Sequence, residues 1–237
     1  LNFGLTVEQV SINTNTTETP KEIEQYLEDE GNDFLNLSLR ARWSDNHLNR
    51  GFFATKGYSQ SASVELGLPG SDLSYYKALY NARWYYPLTD DRFWVLSLKG
   101  RLGYGGELGD NEYPFFKHFF AGGLRSVRGY EQNSLGPRDT KDDPFGGDIM
   151  VTAGAEFIFP VPFVKDKSSW RTLLFVDAGN VFDSSCSSVS LPDNCDSGVH
   201  LDELRASAGF GLSWLTPIGP LSIAIATPLN DKAGDET

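Results

Sequence analysis

Apolar and polar residues alternate along much of this chain. In FLNLSLRARW, residues 34–43, Leu35, Leu37, Leu39, Ala41 and Trp43 share one face, and Asn36, Ser38, Arg40 and Arg42 share the other. The same period of two returns in YYKALYNARWYY, in WVLSLKGRLGY and in LRASAGFGLSW. Successive side chains of an extended strand point to opposite sides, so this period marks strands with one apolar and one polar face. About nine such strands are predicted, near residues 1–10, 33–43, 58–68, 75–87, 93–104, 147–159, 170–182, 204–214 and 221–229. One helix is predicted in TPKEIEQYLEDE, with Thr19 as its cap, Pro20 in the first turn and Glu22 completing a capping box. A disordered acidic loop is the alternative reading of that segment.

A soluble sandwich also alternates. Length and placement decide against it. These strands run about ten residues or more, against roughly 5–6 for ordinary strands. Aromatic residues gather at strand ends, at Trp43, Trp84, Tyr85, Tyr86, Trp94, Tyr104 and Trp214, as in the two girdles of an outer-membrane barrel. The other face sets Arg and Lys beside small residues, which suits a wet lumen. Connections alternate between short and long, as turns on one side of a membrane and loops on the other would. The expected fold class is therefore all-β, a transmembrane antiparallel β-barrel seen in part, with one short loop helix. Bacterial barrels close with an even strand number, and an open edge in lipid is not viable. Nine strands thus predict further strands on both sides of 1–237, with Leu1 already mid-strand and a new strand beginning near Gly234 to Thr237.

Composition narrows the function. The 237 residues suffice for one large domain. Lys and Arg total 20 against 32 acidic residues, a net charge of −12, which argues against nucleic acid held through its phosphates. No apolar run approaches the ~18 residues of a spanning helix. Cys186 and Cys195 lie in the polar stretch DSSCSSVSLPDNCDS and read as a local disulfide in an oxidising compartment. Two free thiols are the plainer alternative. A zinc site lacks a second pair or a histidine cluster. His47, His118 and His200 have no evident Ser–acid partner in register, so no catalytic residue is expected.

The stretch that asks for chemistry is FFAGGLRSVRGYEQNSLGP, residues 119–137. A solvent loop has no need of Val127, Arg128, Gly129 and Tyr130 in a row, and Gly122 and Gly123 precede them. Two acids occupy lumen-facing positions on the next two strands. Parity places Glu156 inward, opposite in sense to Val151, Ala153, Ala155 and Phe157, and Asp177 inward, opposite to Leu174, Val176 and Ala178. If these strands form a hairpin centred on Asp166 and Lys167, Glu156 and Asp177 are directly opposed or one diagonal apart. Two facing carboxylates call for a cation. One reading folds the long loop 105–146 back into the lumen and sets Arg128 between the acids, with Val127 and Tyr130 packed beside it and Gly129 turning the backbone. The other leaves Arg128 solvated and pairs the acids with Arg101 or Arg205.

FFAGGLRSVRGYEQNSLGP, AEFIFPVP, FVDAGNVFD, GLSWLTPIGPLSIAIATPLN and NRGFFATKG together resemble the POTRA-bearing insertase and translocase barrels of the bacterial outer membrane, over nearly the whole chain. That family's hallmark is a Val-Arg-Gly-Phe/Tyr tip on its sixth extracellular loop, here Val127 to Tyr130. The resemblance implies that Arg128 pairs with Glu156 and Asp177 inside the lumen, and that the chain corresponds to about strands 7–15 of sixteen. It also implies an assembly role in the outer membrane, with unfolded outer-membrane proteins as substrates, accessory lipoproteins as partners, and neither cofactor nor enzyme activity. TPIGPLSIAIATPLN favours the assembly branch over two-partner secretion or TamA-like translocation barrels. A passive porin is the competing class. The loop after Arg128 is short for the family, and no loop-six disulfide is carried over from it.

Overall fold

The computed structural model describes residues 1–15, 18–109, 112–161, 164, 169–187, 189–191, 195–232 and 234–237. The alternating stretches form strands β1 (Asn2–Ser11), β2 (Asp33–Asn46), β3 (Gly57–Gly67), β4 (Tyr75–Pro87), β5 (Val95–Glu107), β6 (Ile149–Phe159), β7 (Trp170–Phe182), β8 (Arg205–Thr216) and β9 (Gly219–Pro228). They make one sheet in sequence order, every neighbouring pair antiparallel. This is the partial antiparallel barrel that the period of two predicts. The fifth strand starts at Val95 rather than Phe93, because the Asp91 carboxylate accepts the Phe93 N–H at 3.1 Å and keeps that residue in the turn.

The two faces differ as alternation requires. Outward lie Leu5, Val7, Leu39, Leu98, Leu102, Leu174, Val176, Ile223 and Ile225, all exposed. In water such a belt would be an aggregation hazard; in a bilayer it is the lipid-facing band. Aromatics edge the belt: Trp170 and Trp214 stack at 5.0 Å near the short turns, and Tyr76 meets Tyr104 at 5.7 Å near the long loops. Long connections leave one end of the sheet, at residues 12–32, 108–148 and 183–204, and the connections at the other end are shorter. By that asymmetry the long loops are extracellular and the turns periplasmic.

Packing concentrates on the lumen side, in two clusters. Phe119, Ala121, Val127, Tyr130 and Leu135 from the long loop bury against Met150 and Val181 of β6 and β7. Nearer the extracellular end, Tyr26 and Leu27 of helix α1 (Lys21–Glu30) join Phe34, Leu73, Tyr75 and Tyr113. The helix forms where predicted, but its cap does not. Pro20 occupies the N-cap and no side chain bonds there. The Thr19 hydroxyl turns back to Asn15, donating to its carbonyl at 3.0 Å. Glu22 accepts instead from the N–H and hydroxyl of Thr140, at 3.1 and 2.9 Å, because the long loop buries it.

The centre of the β6–β7 turn, Asp166 and Lys167, lies outside the described residues. Residues 234–237 follow β9, the ninth strand of the sheet. The segment lies over the long loop: the Glu131 N–H donates to the Glu236 carbonyl at 2.8 Å, and Arg205 pairs with Asp235 at 2.5 Å.

Candidate functional site

Adjacent strands β5, β6 and β7 bring three lumen-facing charges into one patch. In the register found, Lys99 pairs with Gly154, Gly154 with Asp177, and Glu156 with Phe175. Glu156 and Asp177 are therefore one diagonal apart, the second of the two arrangements that the hairpin rule allowed. Gly154 sits between the charges. A Cβ there would meet Asp177 Oδ1 and Lys99 Cε at 2.4 Å, so only glycine leaves the cation and anion room to join. Lys99 Nζ lies 3.0 Å from Asp177 and 3.8 Å from Glu156.

The long loop supplies the fourth charge. Its tip is stapled by Ser126, whose hydroxyl accepts from the Gly122 N–H at 2.8 Å and donates to the Gly122 carbonyl at 2.7 Å. A backbone bond from Gly123 N–H to the Tyr130 carbonyl, 3.0 Å, closes the turn. Arg128 then reaches the wall. Its Nε and Nη2 donate to the two oxygens of Asp177 at 2.5 and 2.9 Å, a bidentate fork, and Nη2 also lies 2.9 Å from Glu156. The guanidinium carbon stands 3.5 Å from the centre of the Phe175 ring, within cation–π range. Asp177 is fully buried and Arg128 nearly so. Two cations and two anions make the quartet neutral, the condition under which buried charge is tolerable.

The residues flanking Arg128 fix its approach. Gly129 has φ 94°, a left-handed conformation that costs other residues energy, and a Cβ there would crowd Ala226 and Ser207 at 3.2 and 3.3 Å. Val127 is completely buried, and the Tyr130 hydroxyl donates to the Ala206 carbonyl at 3.2 Å. The same loop is tied to the far wall by Lys117, 3.1 Å from Glu8 and 3.7 Å from Glu65. Arg101 and Arg205 do not approach the acids. Arg101 donates to Asn81 at 3.0 Å, and Arg205 is engaged by Asp235 and Glu203.

Cys186 and Cys195 are joined by a disulfide within the next extracellular loop. Two loop groups have displaced ionisation. Burial pushes His118 down to about 4, while its Nδ1 lies 3.0 Å from the Phe145 carbonyl. Burial pushes Asp183 up to about 7. Lys99, Phe175 and Lys117 were missed in the sequence, although parity already put Lys99 and Phe175 on the lumen face. The arrangement seats the loop tip on charged side chains of the lumen wall.

The Omp85 superfamily domain matches residues 1–237. The outer membrane protein assembly factor BamA of Neisseria meningitidis serogroup B is 36% identical over 262 residues, covering 100% of this chain and 32% of that protein. Sorting and assembly machinery component 50 homolog A of Xenopus laevis is 30% identical over 178 residues, 71% of this chain and 36% of that one. A crystal structure of BamA from Haemophilus ducreyi lacking POTRA domains 1-3 superposes with a TM-score of 0.86 at 35% identity, over 99% of this chain and 48% of that chain. The chain thus spans about a third of the length of the Neisseria relative and about half of the solved Haemophilus chain. Its location is the bacterial outer membrane. Lipid-facing strands, aromatic edges and a family match along the full sequence converge: this chain belongs to the Omp85 superfamily.

Proposed function

We propose that this chain is the wall and loop anchor of a barrel that folds and inserts β-barrel proteins into the outer membrane. One observation carries the reading. A chain similar along its full length to a named assembly factor buries the Val127–Tyr130 tip in its lumen on a neutral charge quartet. The tip acts as a lock that braces three strands from inside. That bracing supports a rigid wall, against which a weakly paired seam elsewhere in the complete barrel opens to template an incoming strand. Unfolded outer-membrane proteins are the substrates and the bilayer is the medium. Accessory lipoproteins dock on the complete protein. The work is non-covalent, with neither cofactor nor enzyme chemistry.

A passive porin also constricts its pore with an inserted loop, but an apolar tip of Val127 and Tyr130 suits packing rather than a hydrophilic eyelet. Reconstitution of the full-length protein into liposomes separates the classes. Accelerated folding of an added unfolded outer-membrane protein is the expected result. Steady ion conductance without accelerated folding would overturn the assembly role in favour of a porin, secretion of a soluble passenger in favour of an exporter, and hydrolysis of lipid or protein in favour of an enzyme.

A further inference from the structure

Residues 47–56 join β2 to β3 on the periplasmic side and carry the Asn-Arg-Gly-Phe-Phe-Ala-Thr-Lys segment, which the loop anchor leaves unexplained. The segment is tightly built. The Asn49 side-chain carbonyl accepts from the N–H groups of Thr55 and Lys56 at 3.0 and 3.1 Å, and its amide donates to the Thr55 hydroxyl at 2.9 Å. The Asn49 N–H donates to the Lys56 carbonyl at 3.1 Å, which closes the base of the loop. At the apex Phe53 has φ 51°, a left-handed conformation uncommon outside glycine. Ala54 and Thr55 are 4% and 5% exposed.

The apex meets a distant strand. Arg171 shares the lumen face of β7 with Phe175 and Asp177. Its Nη1 donates to the Ala54 carbonyl at 3.0 Å, its Nη2 donates to the Phe53 carbonyl, and its guanidinium carbon lies 4.5 Å from the Phe53 ring centre. β3 and β7 are four strands apart, about 19 Å of wall at ~4.8 Å per strand. The segment therefore crosses the lumen face of the sheet from β3 to β7. Two carbonyls and a ring suit a planar fork, a set of partners that a lysine ammonium cannot meet together. A cavity of about 370 Å³ separates this level from the anchor above, bounded by Phe53, Ala54 and Arg171 on one side and Leu124, Arg128 and Glu156 on the other.

We propose that residues 47–56 are a strap closing the periplasmic half of the lumen, and that Arg171 is the positioning residue that holds it. β7 then serves two clasps, Asp177 with Phe175 for the extracellular loop and Arg171 for the strap. The proposal stands independently of the assembly role.

The test uses the full-length protein with Ala54→Cys as its only cysteine and a membrane-impermeant maleimide as the probe. With Arg171 present, labelling is slow. Arg171→Gln and, separately, Phe53→Leu speed labelling about ten-fold or more, and planar-bilayer conductance rises with it. Arg171→Lys keeps the charge without the fork and falls between. Gel mobility of unboiled samples stays that of the folded barrel. Rapid labelling with Arg171 intact, or equal rates across the variants, overturns the strap. Phe53→Leu leaves β7 unaltered, so it decides the matter if Arg171→Gln does not fold.

Discussion

Arg128→Ala removes three charge-assisted contacts at once: 2.5 and 2.9 Å to Asp177 and 2.9 Å to Glu156. Lys99 stays 3.0 Å from Asp177, so one cation is left facing two anions. Removing one partner of a buried pair costs about 3–5 kcal/mol, and the surviving lysine sets the expected loss near ~3 kcal/mol, about 150-fold in the folding equilibrium. With a urea slope of about 3 kcal/mol per M, the unfolding midpoint falls by roughly 1 M. The assay is urea titration of the full-length protein in detergent, read by the mobility of unboiled samples; insertion activity in liposomes falls in parallel. Charge balance gives a second arm. Adding Asp177→Asn to Arg128→Ala leaves Lys99 with Glu156, neutral again, and recovers at least half of the lost midpoint. An unchanged midpoint in the single variant, or a double variant weaker than the single, refutes the lock.

Lys99→Met leaves the Arg128 fork in place but strands one negative charge, so the same titration shows a smaller fall, about 1–2 kcal/mol. Gly129→Ala must carry a side chain at φ 94° against Ala226 and Ser207, and loses about 1–3 kcal/mol in thermal mobility assays. Non-reducing peptide mapping recovers Cys186 linked to Cys195, and reduction costs at most about 3 kcal/mol for a loop this short. The displaced loop groups give opposite pH signs in one window. His118, lowered to about 4, contributes stability above its ordinary 6.5 that is lost as pH falls towards 4. Asp183, raised to about 7, contributes stability below its ordinary 3.8 that is lost as pH rises through 7. Melting curves from pH 4 to 7 therefore show greater acid loss in Asp183→Asn and less in His118→Phe; shifts of the reverse sign sink the assignment.

Strand number and order were legible because the period of two survives wherever one face meets lipid. The relation of Glu156 to Asp177 was legible to within one diagonal, since a short turn joins β6 to β7 and ties their registers together. Lys99 was not, because β5 reaches β6 through the long loop 108–148, and no hairpin rule spans that length. The clasp of Arg171 on Phe53 and Ala54 was equally hidden. Its acceptors are backbone carbonyls, which leave no trace in residue type. The mistaken helix cap has a related cause: local rules favoured Thr19 and Glu22, but a distant partner, Thr140, was available to Glu22 once the loop folded over it.

The neutrality of the lumen quartet has a consequence for ionic strength. Exposed pairs such as Lys232 with Glu203 are screened within a Debye length of about 8 Å in physiological salt. Mobile ions have little access to Asp177, and a group of four charges summing to zero draws few of them. Concentrated salt therefore weakens such surface pairs first and leaves the inner tip seated, so washing in strong brine is a way to loosen this barrel's surface without unseating its interior.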